Sequence, residues 1–264
     1  MKITEVKCKT ALSKSNLPGL DYSLNCYRGC QHSCAYCYVP NVLRIEREEW
    51  GSFVDVKTNI PVVLSKELIK KKPGVVGIST VTDPYQPVEK KYKLTRYCLE
   101  QLIRYDFPIC IQTKSDLIIR DIDIISRFSN IEVLISIGTI NDDERKILEP
   151  HASTIDQRLK ILKEFSEVGV KTSVFFGPIY PTLTSKNIEA LFDVCEKYNV
   201  SEVMIDEFNL KPGIKENLSS YLKNSKYFDI YEKNLFQEPN YYSNLKKLVK
   251  KIGADKNIKI RDAF

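Results

Sequence analysis

The chain has 264 residues, enough for one large domain or two small ones at roughly 150 residues each. It is 43% hydrophobic and 28% charged, with only 10 Gly and 12 Pro, which excludes disorder, collagen-like repeats and low complexity. The net charge is +6, and the whole excess lies in Lys211–Phe264, leaving the preceding residues neutral. No run approaches the ~18 apolar residues of a membrane span, and the start of the chain lacks a secretion signal's apolar stretch. A cytoplasmic protein with no membrane partner is expected.

In chain order, short apolar runs alternate with amphipathic stretches. Strands are expected over 22–25, 75–80, 107–113, 131–137, 170–176 and 201–205, because apolar and β-branched residues cluster there. Helices are expected over 65–72, 92–105, 121–128, 154–168 and 185–198. Thr154 with Gln157 reads as a capping box, and Asp121 and Ser185 read as caps. Pro73-Gly74, Gly169 and Asn199 mark stops. Strands alternating with helices give right-handed βαβ units and a parallel sheet. Whether it closes, opens as part of a barrel or lies flat is not fixed by periodicity, but in each case ligands belong at the carboxyl ends of the strands. After about residue 210 the alternation stops and a mostly helical appendage is expected.

That appendage holds the positive charge, interleaved with Tyr221, Tyr227, Phe228, Tyr231, Tyr241 and Tyr242. Such a pattern suits phosphate contacts and base stacking. The plainer reading is a solvated helix, since Leu245, Leu248, Val249 and Ile252 recur at helical spacing with lysines between them.

Four of the eight cysteines fall between Cys26 and Cys37. Cys30, Cys34 and Cys37 follow the first expected strand at C-x3-C-x2-C, a spacing that reads as metal binding rather than disulfide. Three centres compete: a structural zinc with Cys26 or His32 as fourth ligand, a four-cysteine iron–sulfur site including Cys26, and a [4Fe–4S] cluster on three thiolates with one iron open. His32 and His151, the only histidines, read as loop hydrogen-bonders. P-loop, H-E-x-x-H and G-x-G-x-x-G motifs are absent.

The cysteine spacing, with Tyr36 before the last cysteine and a strand before the loop, resembles the radical S-adenosylmethionine (SAM) superfamily. The longer string Asn25-Cys-Tyr-Arg-Gly-Cys-Gln-His-Ser-Cys-Ala-Tyr-Cys-Tyr38 is similar to its spore-photoproduct-lyase-like, DNA repair photolyase-related branch. So are Thr82-Asp-Pro-Tyr-Gln-Pro-Val-Glu89, Thr113-Lys114, Leu134-Ile-Ser136, Leu148-Glu-Pro150 with Arg158, and Gly177-Pro-Ile-Tyr-Pro181. The resemblance covers about residues 20 to 185. It implies a partial (β/α)6 TIM-type barrel, with an N-terminal segment 1–20, a core 21–208 and a basic, mostly helical extension 209–264.

The resemblance also implies the chemistry. Cys30, Cys34 and Cys37 match the ligands of a [4Fe–4S] cluster whose open iron takes SAM, and one electron then releases a 5′-deoxyadenosyl radical. Flavodoxin or ferredoxin is the implied electron donor. Lys114 matches the lysine that meets the methionyl carboxylate, Ser136 a cofactor-contacting serine, and Tyr36 the aromatic beside adenine. Thr80, Glu149 and Arg158 match further cofactor-side positions, although by themselves Glu149 and Arg158 read as a surface ion pair worth at most about 1 kcal/mol. Tyr36 and Tyr38 match tyrosines that relay a radical in the lyase.

Two departures matter. The lyase returns a hydrogen atom from a cysteine where this chain has Thr80, whose O–H bond is too strong to serve a carbon radical. Repair of spore photoproduct is therefore not expected, and the substrate is unassigned, with nucleic acid as one class. Cys26 stands where the family commonly has proline, as an auxiliary thiol or a small buried residue. Cys98, in the helix after the second strand, is expected to point away from the strand end. The reading from another class is a non-catalytic, zinc- or iron–sulfur-stabilised nucleic-acid-binding protein.

Overall fold

The computed structural model describes residues 1–263. The chain begins with β1 (Lys2–Val6), β2 (Leu12–Lys14), β3 (Tyr22–Leu24) and β4 (Tyr27–Arg28), then α1 (Val39–Leu43), β5 (Phe53–Lys57) and α2 (Ile60–Leu68). There follow β6 (Val76–Ile78), α3 (Glu89–Tyr92), α4 (Leu94–Leu102), β7 (Ile109–Thr113), α5 (Ile122–Ile125), β8 (Ile131–Ser136), α6 (Asp142–Leu148) and α7 (Ile155–Glu167). The last elements are β9 (Thr172–Phe176), α8 (Ser185–Lys197), β10 (Val203–Ile205), α9 (Ile214–Leu222), α10 (Phe228–Phe236), α11 (Tyr241–Asp255) and β11 (Ile260–Asp262). Among these, no helix is long and apolar enough to cross a membrane.

The eight-stranded sheet runs β11-β10-β9-β8-β7-β6-β3-β2. Every neighbouring pair from β3 to β11 is parallel, and only β2 is antiparallel, paired with β3 at the edge. Among the described residues the two edges do not pair with each other, so this is an open, partial barrel, as the family resemblance implies. All six expected strands are present. Period-two burial shows which way they face: on β7, Ile109, Ile111 and Thr113 are buried against the helices, while Cys110 and Gln112 are less so and turn to the other face.

Helix ends follow local chemistry, with instructive shifts. Thr154 and Gln157 form the expected capping box on α7. On α8 the cap is Thr184 rather than Ser185, because Asn187 reciprocates with Thr184. Asp121 does not cap; its carboxylate accepts from Arg96 and Arg120. The helix expected over 65–72 lies earlier, at Ile60–Leu68, where Pro61 suits the first turn and Ile60, Leu64 and Leu68 bury one face. The single helix expected over 92–105 is broken at Lys93, which has a left-handed φ of 53°.

A second sheet, β1-β5-β4, was not expected. Its partners lie far apart in sequence, Lys2 opposite Phe53 for example, so no local pattern announces it. It supports the loop after β4. Gly29 there has φ of 86°, and a Cβ would meet the Phe53 carbonyl oxygen at 2.4 Å, so only glycine fits.

The expected appendage is helical but does not stand apart. Leu245, Val249 and Ile252 of α11 are buried, as the solvated-helix reading requires, and β11 adds a parallel strand beside β10. Glu202 clamps that strand, accepting from Arg261 at 2.7 Å and pairing with Lys259 at 3.0 Å. Burial alone would raise the Glu202 pKa, but these two cations hold it below the usual glutamate value. A carboxyl with a depressed folded-state pKa contributes stability above its unfolded pKa and loses it as pH falls through the folded one. Glu202→Gln is expected to cost about 1 kcal/mol at neutral pH. In urea denaturation its difference from wild type should vanish in acid, and a pH-independent difference would contradict the clamp.

Candidate cofactor and radical site

At the carboxyl ends of the strands a cavity of about 450 Å³ opens into the barrel, within the range of small-molecule sites. Cys30, Cys34, Cys37, Tyr36, Tyr38, Thr80, Lys114 and Ser136 all line it. Residues spread over more than a hundred positions meet there because the parallel strands end along one rim: Thr113 is in register with Ile135, and Ser136 with Phe175. Glu149 and Arg158 do not line the cavity. They lie behind it and reach it through Tyr36.

The cysteine loop is held by its backbone. The Gly29 carbonyl accepts from Thr82 at 2.6 Å and Gln86 at 3.2 Å, and Gln86 takes the Gln31 N–H at 2.9 Å. Arg47 donates to the Cys37 carbonyl at 2.9 Å. Ala35 donates its N–H to the Leu148 carbonyl at 2.8 Å, while its own carbonyl accepts from Asn217 of α9 at 2.6 Å. The C-terminal helices therefore help to set the loop, a role that the sequence pattern did not assign to them.

The donor set suits a strongly positive, thiophilic centre. Burial raises the pKa of all three thiols, that of Cys30 to about 12, and for Cys30 and Cys34 the neighbouring cysteines add to the rise. Thiolates in such a place need a metal to hold their charge. The buried Trp50 N–H has no other partner and lies where it lowers the Cys37 pKa. Among the described residues no three His, Cys, Asp or Glu side chains are grouped to hold a single ion.

Lys114 supplies the opposite charge. It makes no salt bridge among the described residues, and its ammonium lies 5.9 Å from the centre of the Tyr36 ring. Burial works against its charge, but Cys34 and Glu149 outweigh that and raise its pKa. Ser136 Oγ accepts from Gln112 at 3.2 Å. Thr80 Oγ1 accepts from Asn25 at 3.3 Å, and the Thr80 N–H donates back to the Asn25 side chain at 3.0 Å.

Glu149 and Arg158 are not the surface pair that their residue types suggest. They are 1% and 0% exposed. Arg158 donates to Glu149, to the Ser136 carbonyl at 2.9 Å and to the Ser153 carbonyl at 3.0 Å. The Tyr36 hydroxyl donates to the other Glu149 oxygen. Desolvation pushes the Glu149 pKa up, yet Arg158 and Lys114 bring it below its ordinary value. Tyr36 also packs edge-on against Phe208, at 5.4 Å, and Tyr180, at 6.1 Å, so its ring is fixed at both ends. Tyr38 is 36% exposed at the rim.

Asp83 belongs to the Thr82–Glu89 motif, and residue type alone does not single it out. It accepts from Thr113 at 2.7 Å and from the Lys114 N–H at 2.8 Å, and His32 Nδ1 lies 3.4 Å away. Against the upward pull of burial, these partners lower its pKa to about 2. It ties the segment after β6 to the end of β7, and its place after an expected strand is the available signal. His32 is buried, but its Nδ1 finds no hydrogen-bond partner, so the expected loop hydrogen bond is not formed, and His151 is exposed. Cys26 and Cys98 both lie outside the cavity, and their sulfurs face each other.

Comparison with known proteins agrees with this geometry. The family described as Radical SAM superfamily matches residues 24–195. An uncharacterised protein of Methanocaldococcus jannaschii is 36% identical over 184 residues, covering 69% of this chain and 70% of that one. A radical SAM Nalpha-GlyT isomerase of Pseudomonas phage M6 is 26% identical over 166 residues, 62% of this chain and 34% of the isomerase. Spore photoproduct lyase, solved with a dinucleoside spore photoproduct, superposes with a TM-score of 0.74 at 14% identity, over 99% of this chain and 82% of the lyase.

Removing Arg158 would leave a buried carboxylate unpaired. Arg158→Ala is expected to destabilise the fold by about 3–5 kcal/mol, read by urea denaturation. A cost below about 1 kcal/mol would mean that water reaches Glu149.

Proposed function

The chain belongs to the radical SAM superfamily, and on that premise we propose that Cys30, Cys34 and Cys37 hold a [4Fe–4S] cluster and that SAM fills the adjoining cavity. When bound, the reduced cluster and SAM supply a 5′-deoxyadenosyl radical that takes a hydrogen atom from the substrate. The observation that carries this reading is the meeting, on one cavity, of three thiols, Cys30 buried and Cys34 and Cys37 partly so, with a lysine that makes no salt bridge among the described residues.

Each side chain then has a definite task. Lys114 binds the methionyl carboxylate by a charge-assisted hydrogen bond. Ser136 and Thr80 offer hydroxyls to the cofactor, and Tyr36 gives adenine a flat wall. Glu149 and Arg158 act at one remove, fixing the Tyr36 ring and adding to the field around Lys114. Tyr36 and Tyr38 are the candidates for relaying a radical, and an oxidised Tyr36 can pass its phenolic proton straight to Glu149.

The substrate differs from that of the lyase, because Thr80 cannot return a hydrogen atom as a thiol does. A nucleic acid remains a substrate class compatible with the solved neighbour, which holds a dinucleoside. A flavodoxin or ferredoxin is the proposed reductant. The non-catalytic module reading gives way to the enzyme, because a module has no use for Lys114 beside the thiols.

Anaerobic reconstitution of a variant panel tests the assignment. Cys30→Ala, Cys34→Ala and Cys37→Ala should each lose iron loading and SAM cleavage, while Cys26→Ala keeps the cluster. Loss of the cluster in Cys26→Ala as well would make the site a four-cysteine one. In the same panel, Lys114→Ala should retain its iron but bind SAM roughly ten- to a hundredfold more weakly. Unchanged affinity by calorimetry would return Lys114 to an ordinary surface role.

A further inference from the structure

Two cysteines that the proposed chemistry does not use lie against each other. Cys26 stands between β3 and β4, and Cys98 lies in α4; 72 residues separate them, yet their sulfurs are 3.7 Å apart. Both are 0% exposed. The Cys26 carbonyl accepts from the Lys57 N–H at 3.2 Å, which holds that stretch of backbone to β5. Cys98 sits mid-helix, where its backbone is fixed as well.

Sulfurs 3.7 Å apart are in van der Waals contact. A disulfide bond is about 2.05 Å long, so the pair must close by less than 2 Å. A third thiol, Cys8, is half-buried and close enough for its charge to act on both. Burial raises the Cys98 thiol well above its ordinary pKa.

We propose that Cys26 and Cys98 form a reversible disulfide, a covalent strap between the root of the cysteine loop and α4. The oxidant is a small-molecule disulfide such as oxidised glutathione. When local opening admits glutathione to the buried pair, one cysteine, as its thiolate, attacks a glutathione sulfur, breaking that S–S bond and releasing one glutathione thiolate. The second cysteine's thiolate attacks the protein sulfur of the mixed disulfide and expels the other glutathione. The two cysteines give up two electrons and two protons, and the two glutathione thiolates that leave take them up.

The strap closes a loop of some seventy residues and so restricts the unfolded chain. It also fastens the backbone four positions ahead of Cys30. This assignment does not rest on the proposed function, since neither thiol lines the cavity.

Cluster-loaded full-length protein, kept anaerobic, is equilibrated with glutathione buffers of rising oxidised fraction, acid-quenched, alkylated and digested without reductant. Iron is measured before and after, so that a strap is not confused with oxidation of released cluster cysteines. The expected result is a Cys26–Cys98 linked peptide at unchanged iron content, removed by dithiothreitol, with a melting temperature about 5–10 °C higher in the oxidised form. Cys98→Ser should show neither the link nor the rise. Absence of the link at full oxidation, or a bridge that engages Cys8 instead, would overturn the proposal. The peptide map of the unmutated protein decides the matter even where the variant fails to fold.

Discussion

A carboxylate with no water around it organises the site. Glu149 is almost wholly buried, and a bare anion there would be intolerable. Its compensation draws on the whole barrel. Arg158 comes from α7 and is pinned to the Ser136 carbonyl at the end of β8, Tyr36 comes from the cysteine loop, and Lys114 contributes its field from the end of β7. Satisfying one charge thus sets the relative positions of two strand ends, one helix and the loop that carries the thiols. The next residue back, Leu148, holds Ala35 of that loop by its carbonyl, which couples the charge network to the loop's backbone.

The thiols themselves sit where ionisation is discouraged by burial and by one another. Such a loop is poorly disposed toward free thiolates and well disposed toward a metal centre that takes their charge. The C-terminal helices take part in this. Asn217 completes the hydrogen bonding of Ala35, and Phe208 backs Tyr36. A segment that is basic and aromatic in sequence, as if made to meet a polyanion, spends much of its aromatic surface on packing: Tyr231 is buried, and Tyr241 and Tyr242 donate to the Pro181 and Ile179 carbonyls.

Much of this was legible in residue order. Apolar runs such as Ile131–Ser136 announce parallel strands because both faces of the sheet are largely buried, and the thiol spacing announces the loop. Local pattern fails where partners are distant. Nothing near Lys2 indicates that it will pair with Phe53, nothing near Glu149 and Arg158 shows that the pair they make will be buried in the core, and nothing near Cys98 points to Cys26. Asp121 looks like a cap and is instead claimed by Arg96 and Arg120, since two guanidinium partners outweigh one backbone N–H. Glu149 and Asp121 show tertiary electrostatics outranking local propensity where charges are buried.

The central claim is that three thiols present an iron with an open position to a cofactor held by Lys114. Electron paramagnetic resonance of the anaerobically reduced, reconstituted protein, recorded with and without SAM, tests it most directly. The account predicts a [4Fe–4S] signal whose g-values shift on addition of SAM, because the cofactor binds the cluster itself. A cluster spectrum left unchanged by saturating SAM, or a reconstituted protein that holds one zinc and no iron, would contradict it.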